Sequence, residues 1–190
     1  MKISPAVAKL LSVVALTALV AGCSSSPTKV ESDLNIKGAP DWVNEGTNTL
    51  NNKDGRLFHG VGSASPLGDA SLQKSVADDR ARAEVARVLS SYLNVVSSDY
   101  VAAAKAGGTS VTEESVSRDI RNLSQVNLAG ARIIGSWRDP KSGIIYSIAE
   151  LDMKQVKSTL DGVRDMNSDL KRHIESQADN IFDRISKETK

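Results

Sequence analysis

The sequence predicts an α+β domain in which a long helix packs on a small antiparallel sheet, in the order β-α-α-β-β, followed by a long C-terminal helix. Three observations lead to this prediction. Residues 56–64 alternate as a strand does, residues 77–92 repeat apolar side chains at helical spacing, and residues 126–151 hold two apolar runs around a turn. Because helix and sheet are each apolar on one side, they can bury those sides against each other.

The first strand, residues 56–64, has a face that is short of side chains. One face carries Leu57, His59 and Val61, and the other carries Phe58, Gly60, Gly62 and Ala64. We expect a helix or a strand to lie close against the glycine face. The run Gly60-Val61-Gly62 lacks the rest of a dinucleotide-binding fingerprint, so it does not predict a phosphate site.

The long helix begins after a turn at residues 66–69 and ends at Gly107-Gly108, since glycine stops a helix. The apolar residues that share its inner face are Ala77, Ala81, Val85, Val88 and Tyr92. Asp78 and Arg82 lie one turn apart, a spacing that favours an ion pair. Ser110 and Glu113 have capping-box spacing and predict a second helix that extends to about Ser124.

A β-hairpin is predicted from two runs, residues 126–137 and 144–151, around the turn-forming residues 139–143. In the first run, alternation places Ala129, Ala131, Ile133 and Trp137 on one face. In the second run, it places Ile145, Ala149 and Leu151 on one face and Ile144, Tyr146 and Ile148 on the other.

The C-terminal region, residues 153–190, predicts one amphipathic helix that begins at Asp152 or Met153 and continues to about Lys187. Its apolar stripe consists of Val156, Leu160, Val163, Leu170, Ile174, Ile181 and Ile185. The stripe is sparse and the rest of the helix is charged. Two arrangements fit it: docking on the α+β domain, or pairing with another subunit or partner as a coiled coil.

The N-terminus, residues 1–22, predicts a signal peptide. Lys2 and Lys9 provide the positive start, and the apolar run after them is shorter than the ~20 residues that a transmembrane helix needs. The run ends in Val20-Ala21-Gly22-Cys23, the pattern of a lipobox. We therefore predict that Cys23, the one cysteine of the chain, is lipidated; an ordinary signal peptide with an incidental cysteine is the alternative.

Ser24 stands where an aspartate would be the usual inner-membrane retention signal, which predicts outer-membrane localisation, on the periplasmic face, in a two-membrane bacterium. Residues 23–39 are polar and predict a lipidated flexible tether. The α+β domain is expected over residues 40–152, with Trp42 as the first residue packed on the core. A place for Trp42 at the membrane interface is the alternative.

Composition argues against several partners, and the sequence lacks the motifs of several kinds of site. The formal net charge is +1, and removing Lys2 and Lys9 leaves 22 basic against 23 acidic groups, a net of −1. Neither this balance nor the 4% of aromatic residues favours nucleic acid, and the charge gives no case for anionic lipid. His59 and His173 lie in different elements. We predict no catalytic, cofactor-binding or metal site, and no enzymatic activity.

Four stretches together are similar to a known family. These are Pro40-Asp41-Trp42, residues 58–64, residues 77–86 and residues 145–152, in that order after the lipobox. They resemble the Lpp twenty-kilodalton outer-membrane lipoprotein family, which includes FlgP-like flagellar assembly lipoproteins. The resemblance implies a small α+β domain and a non-enzymatic role at the outer membrane, and it supplies no catalytic residues. The long helix after Asp152 goes beyond the shared region.

Two functions are compatible with the sequence. The first is a structural or assembly lipoprotein that acts through contacts with other envelope proteins or as a homo-oligomer. The second is a periplasmic module that binds peptidoglycan or a small ligand between the helix and the glycine face of the sheet.

Overall fold

A computed structural model describes residues 34–49 and 55–188 of the chain. The predicted signal peptide, Cys23 and most of the predicted tether lie outside these residues. The helices are α1 (Asp41–Glu45), α2 (Ala70–Ala106), α3 (Glu113–Leu128), α4 (Met153–Ser158) and α5 (Ser168–Glu188), with 3₁₀ turns at Gly46–Thr49 and Leu160–Gly162. The strands are β1 (Leu57–Ala64), β2 (Arg132–Arg138) and β3 (Ile145–Asp152).

The three strands form an antiparallel sheet in the order β1-β3-β2, so the last strand in the chain lies at the centre. The hairpin of β2 and β3 was predicted from the turn, and its antiparallel pairing is confirmed. β1 then pairs with the other edge of β3. The predicted fold class, a long helix on a small antiparallel sheet followed by a C-terminal helix, is confirmed.

Helix α2 lies directly on the glycine face of β1, as expected. A Cβ atom at Gly60 would stand 2.4 Å from the carbonyl oxygen of Ala81, and one at Gly62 would stand 2.3 Å from the backbone nitrogen of Ala81. Ala77 and Ala81, the helix residues at this contact, are fully buried. Small residues on both sides therefore let the helix backbone touch the strand backbone.

The ends of α2 agree with the predicted ones. The carboxylate of Asp69 accepts hydrogen bonds from the backbone N–H groups of Ser71 and Leu72, at 2.7 and 3.1 Å, and so caps the first turn. The helix ends at Ala106. Gly108 then adopts a positive φ of 74°, a conformation that glycine takes at little cost.

The predicted pair of Asp78 and Arg82 is not formed. Asp78 accepts hydrogen bonds from Lys74 and from the hydroxyl of Ser147, both at 2.6 Å, and Arg82 bonds Asp79. Ser147 is fully buried on β3, beneath the helix. Asp78 therefore links α2 to the centre of the sheet, a contact that helical spacing alone could not indicate.

Asp78 should stabilise the fold in a pH-dependent way. Burial alone would raise its pKa, but the hydrogen bonds from Lys74 and Ser147 outweigh it and hold the pKa below the usual 3.8. Its carboxylate therefore stabilises the fold above about pH 4, and this stabilisation is lost as the pH falls through 3.8 towards the lower pKa of the folded state. We expect Asp78→Asn to cost about 1–2 kcal/mol at neutral pH.

Urea titrations across the acid range measure this effect. The difference in the free energy of unfolding between the wild type and Asp78→Asn should shrink below about pH 4. Asp79→Asn is the matched control, because the side chain of Asp79 is 71% exposed and its pair with Arg82 is a surface pair. An equal loss in both variants would contradict the role of Asp78.

Two predictions about α3 and β2 are wrong. The capping box of Ser110 and Glu113 does not form; the helix begins at Glu113, after Thr112, and continues to Leu128. Residues 126–131, assigned to a strand from their sequence, therefore belong to the end of α3 and to the turn after it. Apolar residues such as Val126 fit either element, and the period of the pattern was too short to decide.

Strand β2 contains a bulge that changes the predicted faces. Ile133 pairs with Ala149, but Gly135 pairs with Ile148, so Ile134 is an extra residue. After the bulge the alternation is shifted by one. Trp137 therefore lies on the face away from α2, whereas Ile133 lies on the face towards it, and the prediction that they share a face is wrong.

The predicted single C-terminal helix is interrupted. α4 ends at Ser158, a 3₁₀ turn follows, and α5 begins at Ser168. The side-chain oxygen of Asn167 accepts hydrogen bonds from the backbone N–H groups of Asp169 and Leu170, at 2.9 and 3.0 Å, and so caps the new helix. Asn167 interrupts the apolar stripe between Val163 and Leu170. Its position is explained by the cap.

Helix α5 docks on the domain, which confirms the first of the two expected arrangements. Its buried residues are Leu170, Ile174, Ala178, Ile181 and Phe182. The ring of Phe182 packs at 5.3 Å from Phe58 on β1, and the hydroxyl of Tyr92 donates a 2.6 Å hydrogen bond to the carbonyl oxygen of Ala178. α5 thus belongs to the main hydrophobic core and contacts both the sheet and α2.

Ion pairs at the surface also link α5 to the start of β1. The guanidinium of Arg56, just before β1, donates to both carboxylate oxygens of Asp183 at 2.8 and 2.7 Å, and lies 3.5 Å from Asp179. Lys157 pairs with Asp179 at 2.7 Å. The hydrogen bond from Arg56 holds the pKa of Asp183 below its usual value. These contacts fix the C-terminal half of α5 near the start of β1.

Candidate functional site

The face of the sheet that points away from α2, here called the outer face, carries the most varied chemistry of the described residues. Cross-strand partners share a face, so the register defines three rungs across the three strands. The rungs are His59–Glu150–Arg132, Val61–Ile148–Gly135 and Ser63–Tyr146–Trp137. The outer face is therefore charged at one end, aliphatic in the middle and aromatic at the other end.

Glu150 joins the three strands at the charged end. One carboxylate oxygen lies 3.1 Å from Nε2 of His59, and the other accepts a hydrogen bond of 3.3 Å from Arg132. His59 is buried, as expected of a packed or hydrogen-bonded histidine, whereas the side chain of Arg132 is 76% exposed. Both oxygens of Glu150 are thus engaged, and the triad ties the strands together.

The aromatic end of the outer face holds a cross-strand ring pair. The rings of Trp137 and Tyr146 lie with their centroids 5.9 Å apart, and burial raises the pKa of the Tyr146 hydroxyl. Gly135 leaves room in the middle rung: a Cβ atom there would lie 3.2 Å from Ile148 and 3.9 Å from Cζ2 of Trp42. Trp42 therefore reaches the sheet at Gly135.

Residues 34–49, here called the N-terminal strap, bring Trp42 to the outer face. The side chain of Asn44 accepts a 2.8 Å hydrogen bond from the backbone N–H of Ile36 and donates one of 3.2 Å to its carbonyl oxygen. Val43 is buried, whereas Trp42, expected to be the first residue packed on the core, is half-buried. The described part of the fold thus includes residues before Pro40, and Asn44 lies in α1.

A second candidate is a groove of about 320 Å³ between the last turns of α2 and the first turns of α5. His173 lines it and lies 3.1 Å from a carboxylate oxygen of Asp99, with its ring 5.5 Å from that of Tyr100. Arg172, also in the lining, pairs with Asp169. The charged groups of the groove are therefore paired with each other and shape a shallow, nearly neutral surface.

The sequence-predicted residues are placed as follows. His59 and His173 belong to different sites, and neither joins a metal-ligand cluster among the described residues. Cys23 lies outside the described residues. The space between helix and sheet, where a bound ligand was considered, is filled by backbone contact at Gly60 and Gly62. The sequence did not single out Glu150, Arg132 or Asp99. They resemble the many other charged residues of the chain, and only their pairing across the fold distinguishes them.

The fold and the outer face define a small α+β domain with a long helix on one side of its sheet and an N-terminal strap on the other. Within residues 34–49 and 55–188, no helix is both long enough and apolar enough to cross a bilayer. Comparison with known protein families finds no match, and comparison with curated proteins finds none either. The resemblance to the Lpp twenty-kilodalton family therefore stays a hypothesis.

Proposed function

We propose that this chain is a lipoprotein anchored in the outer membrane, with a structural or assembly role through contacts with other envelope proteins or with copies of itself. The observation that carries the proposal is the lipobox Val20-Ala21-Gly22-Cys23 at the end of a short apolar run. Leu34 already belongs to the described domain, so a lipid anchor at Cys23 would hold that domain close to the membrane. The resemblance to FlgP-like lipoproteins supports a flagellar assembly role.

The charged side chains of the outer face are paired with one another, which argues against catalysis there. Glu150 is held by His59 and Arg132, so its carboxylate is committed to linking strands. We accordingly propose a non-enzymatic role without a bound cofactor. The alternative, a ligand-binding module, was suggested by the glycine face of β1. That face is not available to a ligand, because the backbone of α2 lies against it.

Replacing Cys23 tests the anchor. We expect Cys23→Ser to release the protein from the membrane fraction and to abolish incorporation of labelled palmitate, because a triacylated cysteine is a far firmer anchor than one chain. The measurements are fractionation and palmitate labelling of whole cells. Ser24→Asp is the matched control, which should keep the label and move the protein to the inner membrane. Membrane-bound, labelled Cys23→Ser protein would refute the proposal.

The assembly role has its own test. Cross-linking in intact cells, followed by mass measurement in detergent, should show a homo-oligomer or a complex with another envelope protein. A deletion strain scored for motility and envelope integrity then separates a flagellar role from a general envelope role. A protein that is monomeric and without partners in both measurements would contradict the assembly role while leaving the anchor intact.

A further inference from the structure

The strap restricts how far the folded domain can stand from a lipid anchor at Cys23. Ile36 is fixed to Asn44 by two hydrogen bonds, so folded structure extends back at least to this residue. Only residues 24–33 separate Cys23 from Leu34, the first described residue. Whatever conformation these residues take, they span at most ~40 Å.

This length is short compared with the domain. A compact unit of this size has a radius of gyration of about 15 Å and is thus about 40 Å across. Helix α2, with 37 residues, is by itself about 55 Å long. If the strap faced away from the membrane, residues 24–33 would have to be almost fully extended to pass the domain. We therefore expect the strap, and the outer face under it, on the side of the domain that faces the membrane.

The side chains on this side suit a lipid–water interface. Both tryptophans of the chain, Trp42 and Trp137, are half-buried there, and Leu34 of the strap is 49% exposed. Ile134, at the bulge of the neighbouring edge strand, is 48% exposed. Tryptophan is enriched at membrane interfaces. The long side chain of an exposed arginine such as Arg132 can cover apolar surface while its charged group stays in water. This side of the domain can therefore make apolar contact with the lipid without an excess of positive charge on its surface.

We propose that the outer side of the sheet, with the strap and Ile134 on the edge strand, lies against the lipid headgroup layer, and that α2 faces away from the membrane. The occupant of this surface is the membrane that carries the anchor. The exposed Asp41 and Glu45 of the strap offset Lys37 and Arg132, so the orientation comes from tether length and apolar contact. It should not depend on anionic lipid. This inference rests on the proposed lipidation of Cys23.

Single introduced cysteines test the orientation, because Cys23 is the only cysteine and its thiol is blocked once it is acylated. Ile134→Cys reports on the edge strand β2, whose residues Gly135 and Trp137 lie on the outer face. Ala83→Cys is the matched control, since Ala83 is exposed and lies about 200° around α2 from both Ala81 and Val85, which face the sheet. Each full-length lipidated variant is labelled with a fluorophore and placed in vesicles that carry a quencher on the headgroups.

We expect the probe at position 134 to be quenched several-fold more strongly than the probe at position 83, in neutral and in anionic vesicles alike. Equal quenching, or stronger quenching at position 83, would overturn the inference. Insertion of about 20 Gly and Ser residues between Cys23 and Leu34 should bring the ratio towards one, because the reach of the tether then grows from ~17 to ~30 Å. An unchanged ratio would contradict the role of tether length.

Palmitate labelling of the same samples separates this inference from the proposed function. Unlabelled protein that leaves the membrane means that the lipid anchor is wrong. Labelled protein whose two probes are quenched equally means that the anchor is right and the orientation is wrong. A soluble Cys23→Ser protein that dimerises through the outer face, detected by mass measurement and by protection of the probe at position 134, would assign the surface to a second copy and overturn the inference.

Discussion

Gly62→Ala is expected to destabilise the domain by about 3 kcal/mol or more, because a side chain there has no place to go. The added Cβ atom would lie 2.3 Å from the backbone nitrogen of Ala81 and 2.7 Å from the carbonyl oxygen of Ala77. These are backbone atoms in a regular helix, so no side-chain rotation can relieve the overlap. The helix must move off the sheet, which opens the contact around Ala77 and Ala81.

Urea denaturation followed by circular dichroism measures the loss. Gly162→Ala is the matched control: nothing lies within 4 Å of a Cβ atom at Gly162, and its backbone does not need a positive φ. The control should change the free energy of unfolding by less than about 0.5 kcal/mol. If Gly62→Ala were equally mild, the helix would not be in direct contact with the strand.

The close approach at Gly62 could be predicted from the sequence because its cause is local. Gly60 and Gly62 alternate within one strand, and alanines recur on one face of the helix that follows, so both halves of the contact are visible in the chain. The ends of α2 were predictable for the same reason. Asp69, Gly107 and Gly108 act within one turn of the residues that they cap.

The outer face could not be predicted in this way, because distant residues determine it. His59 and Glu150 are 91 positions apart and meet through the β1–β3 register. The bulge at Ile134 decides that Trp137 joins Tyr146 on the outer face, and alternation read along β2 alone gives the opposite face. The charged triad and the ring pair are thus properties of strand register, which no single stretch contains.

The structure of the C-terminal region could be predicted only in part. Its apolar stripe was visible, and the stripe does bury α5, but a periodic pattern does not show whether a helix continues through a polar position. Asn167 is followed by Ser168 and Asp169, which is a helix-start sequence, and it caps α5. The same region left docking and coiled-coil pairing open, since both need one apolar face.

Ile174→Ala should distinguish a helix that is part of the core from one that is only attached to it. Ile174 is fully buried in the core that also contains Leu89 and Leu93 of α2, so we expect a loss of about 2–5 kcal/mol in the free energy of unfolding. The unfolding transition should stay single, because α5, α2 and the sheet share one core. Glu175→Ala, at the exposed neighbouring position, should be nearly neutral.

The dependence on protein concentration tests in solution that α5 docks within its own chain. A helix docked within its own chain loses the same free energy at every concentration, whereas a helix paired with a second subunit loses stability as the protein is diluted. We expect the midpoint of urea unfolding of both the unlipidated wild type and Ile174→Ala to be independent of concentration. If the wild-type midpoint rose with protein concentration, and Ile174→Ala showed a separate unfolding transition at lower urea, α5 would instead belong to a subunit interface.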